Sequence, residues 1–245
     1  MQKTYRPLTF PTLNWNQKVS SPTYGELIVQ PLEPGFGITL GNALRRVILS
    51  SIEGSAVTSV IIKGVNNEYS ALKGVTEDVL HVLLNIKEII IANKTGEPGK
   101  MSILVDGEGI AKVADIKADE HLELINKDHI LAHLAVDGQL DIEFFVEPGR
   151  GYLPAQWPKG QALQADNKIY LDAMFSPVKR VEFNVEKTRV GQAIDYDKLT
   201  LKITTNGVVE PQEVVHYGTS VLRTQLEHFL FAKEIPFNEI SKQSE

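Results

Sequence analysis

The chain has 245 residues, 42% hydrophobic and 23% charged, an ordinary globular composition with room for one large domain or two modest ones. Lys and Arg total 25 against 31 Asp and Glu, a net charge of −6 with no basic block, which argues against non-specific nucleic-acid binding as the main activity. The lack of cysteine excludes disulfides, thiol nucleophiles and thiolate metal sites, and the lack of any run near ~18 apolar residues or of a signal-like amino terminus predicts a cytoplasmic protein.

Residues 1–22 are polar with three prolines and read as an arm. Tyr24 to Leu32 alternates, with Leu27 and Val29 on one side and Glu26 and Gln30 on the other, the pattern of a half-buried strand. Pro34-Gly35 turns the chain into a helix with Thr39 as the expected N-cap, and Glu53-Gly54 ends it. Within it Leu40, Ala43, Leu44, Val47 and Ile48 recur at helical spacing and form one stripe expected to face the core. At about 100° per residue, Asn42, Arg45, Arg46 and Leu49 gather on the opposite side. A leucine set among arginines suits a partner surface, although such residues on a solvated face often do nothing specific. The glycines do not make a nucleotide site. Leu40 stands where a dinucleotide fingerprint needs glycine, and Gly41-Asn42-Ala43 stands where a P-loop needs Gly-Lys-Ser/Thr.

From Ala56 the chain breaks into short strand patterns at Val57–Ile62, Met101–Val105, Leu122–Ile125 and Leu140–Val146. Between the first two, Gly74 opens a helix with Thr76 as expected cap and Glu77 and Asp78 in its first turn. Pro148 to Ala155, rich in glycine and proline, reads as a shaped loop, and 156–176, with Trp157, has no strong period. Residues 53–178 thus form a β-rich insertion. Val178–Val190 and Leu199–Thr205 are strand patterns, and Pro211 opens a long helix. On that helix Val214, Val215, Tyr217, Val221, Leu222, Leu226 and Phe229 spread over more than half the circumference, with Leu230 and Phe231 beyond. Burying so many side chains is worth roughly 10–20 kcal/mol gross, and so wide an arc calls for two covering surfaces, the chain's own sheet and a second subunit. The expected fold is α+β: the two ends build one discontinuous domain, an antiparallel sheet with two helices, and carry the β-rich insertion.

Candidate catalytic groups are sparse. His129 and His133, four apart, could share a helix face, but no metal motif accompanies them. Asp106, Glu108, Asp115 and Asp119 read as turn residues, and Ser50, Ser51, Ser55 and Ser59 have no inferable histidine partner. No catalytic residue, metal or cofactor is expected. A dimeric small-ligand-binding regulatory protein is the alternative, and it requires a polar pocket in the insertion.

Gly35-Phe-Gly-Ile-Thr-Leu-Gly-Asn-Ala-Leu-Arg-Arg-Val-Ile-Leu-Ser-Ser51 resembles the signature of the alpha subunit of bacterial-type RNA polymerase. The resemblance continues in family order through Glu68–Ser70, Gly74–Val79, Leu83–Lys87, Gly149–Ala155, Ser176–Val181, Asn184–Val190, Asp197–Leu199 and Thr205–Gly207, covering nearly the whole chain. It implies a non-catalytic scaffold within a nucleotidyltransferase complex: a dimerisation domain of residues 1–52 and 179–235, an insertion of 53–178, and a tail from 236 to 245. The first and last helices would pack on a second alpha subunit through Leu40, Leu44, Val47 and Ile48 and through Val221, Leu222, Leu226 and Phe229. By position, Asn42, Arg45, Arg46 and Leu49 would face the beta subunit, with Arg150, Lys179 and Arg180 as further contacts to beta or beta-prime. Pro34, Ile38 and Ala193-Ile194-Asp195 depart from the family pattern, leaving open a homodimer or pairing with a diverged second alpha. No counterpart of the family's DNA- and activator-binding domain follows, so DNA contact by this chain as given is not expected.

Overall fold

The computed structural model describes residues 10–65, 68–155 and 167–230. Trp157, Phe231 and the 236–245 tail lie outside them. In chain order the elements are β1 (Thr12–Trp15), β2 (Tyr24–Leu32), α1 (Phe36–Ser51), β3 (Glu53–Ile62), α2 (Val79–Lys87), β4 (Ile91–Asn93) and β5 (Gly99–Asp106). There follow β6 (Gly109–Lys112), β7 (Lys117–Ala118), β8 (Leu122–Leu124), β9 (Ile130–Leu134), β10 (Gln139–Arg150), β11 (Tyr152–Leu153), β12 (Lys168–Tyr170) and β13 (Ala173–Met174). The last are β14 (Val178–Val190), β15 (Ala193–Thr205) and α3 (Pro211–Leu230). The chain divides into two units, one of Met1–Ile52, Val178–Thr205 and Val209–Glu245, the other of Glu53–Pro177 with Asn206–Val208.

The first unit is an antiparallel sheet in the order β1-β2-β15-β14. Strand alternation and register stack Val181, Phe183 and Val185 of β14 against Ile203, Leu201 and Leu199 of β15, which in turn meet Leu27 and Val29 of β2. This apolar face, with Ile48 and Val214 from the helices, is the unit's core. The expected arm at 1–22 contains a strand, β1, because Leu13 and Trp15 alternate in register with Val29 and Leu27 and extend the same face.

Helix α1 approaches the sheet on glycines. A Cβ at Gly37 would stand 2.7 Å from the Val185 side chain, and one at Gly41 would stand 2.6 Å from the Phe183 ring. In the same way α3 meets α1 where a Cβ on Gly218 would reach 2.8 Å from Ile48. The face of α1 on the sheet is therefore Gly37, Gly41, Leu44 and Ile48, rotated by roughly 60° from the apolar stripe if each residue turns about 100°. Leu40, expected on the stripe that faces the core and the second subunit's helix, is 37% exposed within this chain. Leu49, expected on the partner face, is half-buried against the core cluster.

Thr39 is not the cap. The helix begins at Phe36 behind Gly35, whose φ of 88° is open to glycine but strained for other residues. With no side chain at the cap, the first N–H groups are satisfied from β15: Asp197 Oδ2 accepts from Gly35 N at 2.8 Å and from Gly37 N at 3.2 Å. Its other oxygen accepts from Lys187 Nζ at 2.8 Å. Asp197 is only 2% exposed. The Lys187 hydrogen bond, followed by the backbone N–H bonds, outweighs burial and holds its carboxyl below the usual carboxylate range.

In the second unit the order is β7-β5-β10-β3-β4-β8, with β12 also on β3. Val60, Ile62, Ile103, Ile142 and Phe144 form the inner face, covered by Val82, Leu83 and Ile86 of α2. Helix α2 starts later than expected: Asp78, not Thr76, is its cap, accepting from His81 N at 2.8 Å. Nor is the segment from Pro148 irregular throughout. β10 continues to Arg150, in register with β3, and Tyr152–Leu153 pairs with β13. Close approach requires a glycine at 149, since a Cβ there would lie 2.7 Å from the Phe175 ring. No helix among the described residues is long and apolar enough to cross a membrane.

Two outcomes follow for the first unit. Asp197→Asn should cost about 1–3 kcal/mol at pH 7 by urea unfolding. Because the native carboxyl is held low, this contribution is present above the ordinary Asp value and is lost as pH falls through the depressed native value, so the deficit should shrink in acid. Equal stability at pH 7 would contradict it. Gly41→Leu should lower stability by about 1–3 kcal/mol or more, since Phe183 and Leu199 must move.

Candidate functional site

On α1 the outward face holds Asn42, Arg45 and Arg46, all exposed. Neither guanidinium has an ion-pair or hydrogen-bond partner among the described residues. Arg45 leans to the β14 side, where with Val181, Glu182, Phe183, Asn184 and Lys202 it lines a shallow cleft of about 360 Å³. Arg180 differs, being paired with Glu182. Lys179 is the extra residue of a β-bulge, skipped in the register between Val178 and Arg180, which turns it out of the ladder.

The other flank of α1 carries apolar side chains, and so does the far half of α3, where they are interspersed with Arg223, Gln225, Glu227 and His228. Leu40 is partly exposed, while Leu44 and Val47 are half-buried. Ile48, expected at the dimer interface, is fully buried within the unit and has no surface left to offer a partner. Along α3, Val214 and Val215 are buried and Val221 and Leu222 half-buried, whereas Leu226 and Phe229 are 61% and 75% exposed. The expected wide arc is thus covered at its start and bare at its end.

In the second unit Arg150 meets Glu53 across the β10–β3 register, with Nε donating at 2.9 Å. Beyond it Tyr152, Leu153 and Met174 form an exposed apolar group on β11 and β13. Next to them Lys87 pairs with Asp172 at 2.5 Å, an interaction that outweighs burial and holds the Asp172 carboxyl below its ordinary range.

Four of the residues weighed for catalysis, His129, His133, Asp115 and Asp119, are held in other contacts. His133 lies on a strand, not on a helix with His129, because β9 runs through Ile130–Leu134. Its Nδ1 is 2.5 Å from Glu77 Oε1, and its backbone N–H donates to Glu77 Oε2 at 2.7 Å. Burial would raise the Glu77 carboxyl, but the His133 bonds hold it below the usual range. His129 Nε2 is 2.9 Å from the Asn85 carbonyl oxygen. Asp119 accepts from Lys100 N at 2.7 Å, beside the β5–β7 pairing, and Asp115 accepts from Lys112 N at 2.9 Å within a local turn. No group of three or more His, Asp or Glu among the described residues is placed to hold a metal. The insertion's cleft of about 370 Å³, beside Lys100, Lys117, Asp119 and Glu143, is open, and one Asp119 oxygen is committed to the Lys100 backbone.

Sequence reasoning did not single out Asp197, which sets the start of α1, or the packing roles of Gly37, Gly41 and Gly218. The sequence signal available for all three glycines was their four-residue or seven-residue spacing to buried positions, with no side chain to register on a hydrophobicity count.

Residues 60–176 match the family model described as the RNA polymerase Rpb3/RpoA insert domain. Over 231 residues the chain is 41% identical to the DNA-directed RNA polymerase subunit alpha of Geobacter metallireducens, covering 94% of this chain and 68% of that one. It is 40% identical over 215 residues to the subunit of the same name from Lawsonia intracellularis, covering 88% of this chain and 62% of the relative. It therefore spans about two thirds of the length of these relatives. The chain belongs to the DNA-directed RNA polymerase alpha subunit family.

Proposed function

We propose that this chain is a non-catalytic scaffold that pairs with a second alpha subunit and gathers the beta and beta-prime subunits of a DNA-directed RNA polymerase. The observation that carries the reading is the division of the first unit's surface into two faces of different chemistry. One is apolar and incompletely covered among the described residues: Leu40, Leu226 and Phe229 are exposed, and Val47 on α1 with Val221 and Leu222 on α3 are half-buried beside them in the same two helices. Exposed large side chains in such a row suit a second copy or a diverged alpha. An interface of that obligate kind buries above ~2,000 Å² in total. Covering Leu226 and Phe229 alone would contribute about 1.5–3 kcal/mol each.

The other face is cationic. Asn42, Arg45 and Arg46 stand on a helix that Asp197 and close glycine packing anchor to the sheet, so their backbone positions are set before a partner's carboxylates arrive. This face suits beta. Lys179, turned out of the ladder by the bulge, and Arg180, on the side of β14 away from α1, are further cations of the same unit for a large subunit to meet. In the second unit, Arg150 and the neighbouring Tyr152 and Met174 offer a further contact for a large subunit. Leu49 contributes less than its helical position suggests, since part of it is spent on the core.

The experiment is co-purification of the chain with beta and beta-prime. The wild-type chain should recover both. Arg46→Ala should weaken beta recovery by about tenfold or more, as truncating a central arginine does in other interfaces, while the alpha dimer persists. Equal loss of dimer and of beta binding would contradict the separation of the two faces. Turnover of nucleotides by the isolated chain would contradict the scaffold role.

A further inference from the structure

Strand β14 is the last in its sheet. Among the described residues β15 pairs with it on one side and no strand pairs with it on the other. Proteins blunt exposed edges with bulges, short strands or a covering element, because unpaired N–H and C=O groups recruit further strands. Here the bulges lie at the two ends, near Lys179 and Arg189, and the register from Arg180 to Thr188 is uninterrupted. The charged side chains of this run do not occupy the edge. By alternation Arg180, Glu182 and Glu186 project to the face away from α1, where Arg180 pairs with Glu182 and Glu186 with Lys198 at 2.9 Å, while Lys187 projects to the α1 side and is held by Asp197.

The cleft beside this run has the features of a strand-binding groove. Val181 and Phe183 give it an apolar floor, and Arg45 overhangs it from α1. Its charge is positive. The Glu182 carboxylate is already matched by Arg180, whereas Arg45 and Lys202 have no ion-pair partner among the described residues. The cleft is continuous with the Arg45–Arg46 face of α1.

We propose that an extended acidic segment of a large polymerase subunit adds as a strand to the free edge of β14 between Arg180 and Glu186, with Arg45 and Lys202 closing on its carboxylates. The proposal rests on the scaffold reading and specifies how docking occurs: main-chain hydrogen bonds supply the alignment, and the two cations select an acidic sequence. A helix laid across α1, or side-by-side packing that leaves the edge free, is the competing mode.

The test uses the alpha dimer alone and in complex with the large subunits. Amide exchange is followed along β14, and a photo-crosslinking residue replaces Asn184, which lines the cleft. Strand addition predicts that amides between Arg180 and Glu186 slow by about tenfold or more on assembly, and that position 184 crosslinks to an acidic stretch. Arg45→Glu combined with Lys202→Glu should reduce recovery of the large subunit by about tenfold or more, with the alpha dimer retained. A complex that forms while β14 exchanges as in the free dimer overturns strand addition and leaves the scaffold reading standing. Undiminished assembly by the double charge reversal overturns the acidic segment. Failure of the wild-type chain to bind any large subunit overturns both readings together.

Discussion

One buried carboxylate sets the frame on which the first unit is built. Asp197 reaches from β15 to the start of α1, accepts two backbone N–H groups there, and takes its countercharge from Lys187. A charge this buried is tolerated because both oxygens are occupied and the positive end of a helix dipole lies against it. The arrangement ties together segments 160 residues apart in sequence. It also relieves α1 of a local cap, so that Gly35 can take the left-handed turn that starts the helix close to the sheet.

The consequence is a particular rotation of α1. Gly37 and Gly41 let the helix sit nearly in contact with Val185 and Phe183, and the buried line passes through them to Leu44 and Ile48. Had the larger apolar residues faced the sheet instead, Leu40 and Val47 would be spent inside and Arg45 would stand farther from β14. As built, one flank leaves Leu40 exposed and Val47 half-buried, the pair we propose to meet a second alpha, and the other sets Arg45 over the cleft beside β14. Dimer contact and large-subunit docking can then occupy a single helix without competing for the same atoms.

What the sequence made legible follows from which interactions are periodic. The alternation of β2 and β14 and the apolar arc of α3 were readable, because burial there is carried by large side chains at fixed spacing. The face of α1 was misjudged because its closest contacts are made by glycines, which carry no hydrophobic signal, and its start was misplaced because the capping group lies far along the chain. Asp78, the α2 cap, was missed for a different reason: it is a local cap, and Thr76 two residues earlier is an equally suitable capping side chain. The stretch from Pro148 to Leu153 looked irregular by composition, yet Gly149 is there to clear the Phe175 ring within a continuing strand. His129 and His133 matched a helical spacing that the β9 strand does not provide. The outward arginines were legible as a pair, but only the structure placed Arg45 over a cleft and left both without partners among the described residues.

The most direct test of the account is the mass of the purified chain in solution. Sedimentation equilibrium at micromolar concentration should give twice the 27.2 kDa chain mass, and Leu226→Ser with Phe229→Ser should shift the particle to a folded single chain. A stable monomer for the wild-type chain, both alone and mixed with a diverged second alpha subunit from the same cell, would contradict the scaffold reading at its base.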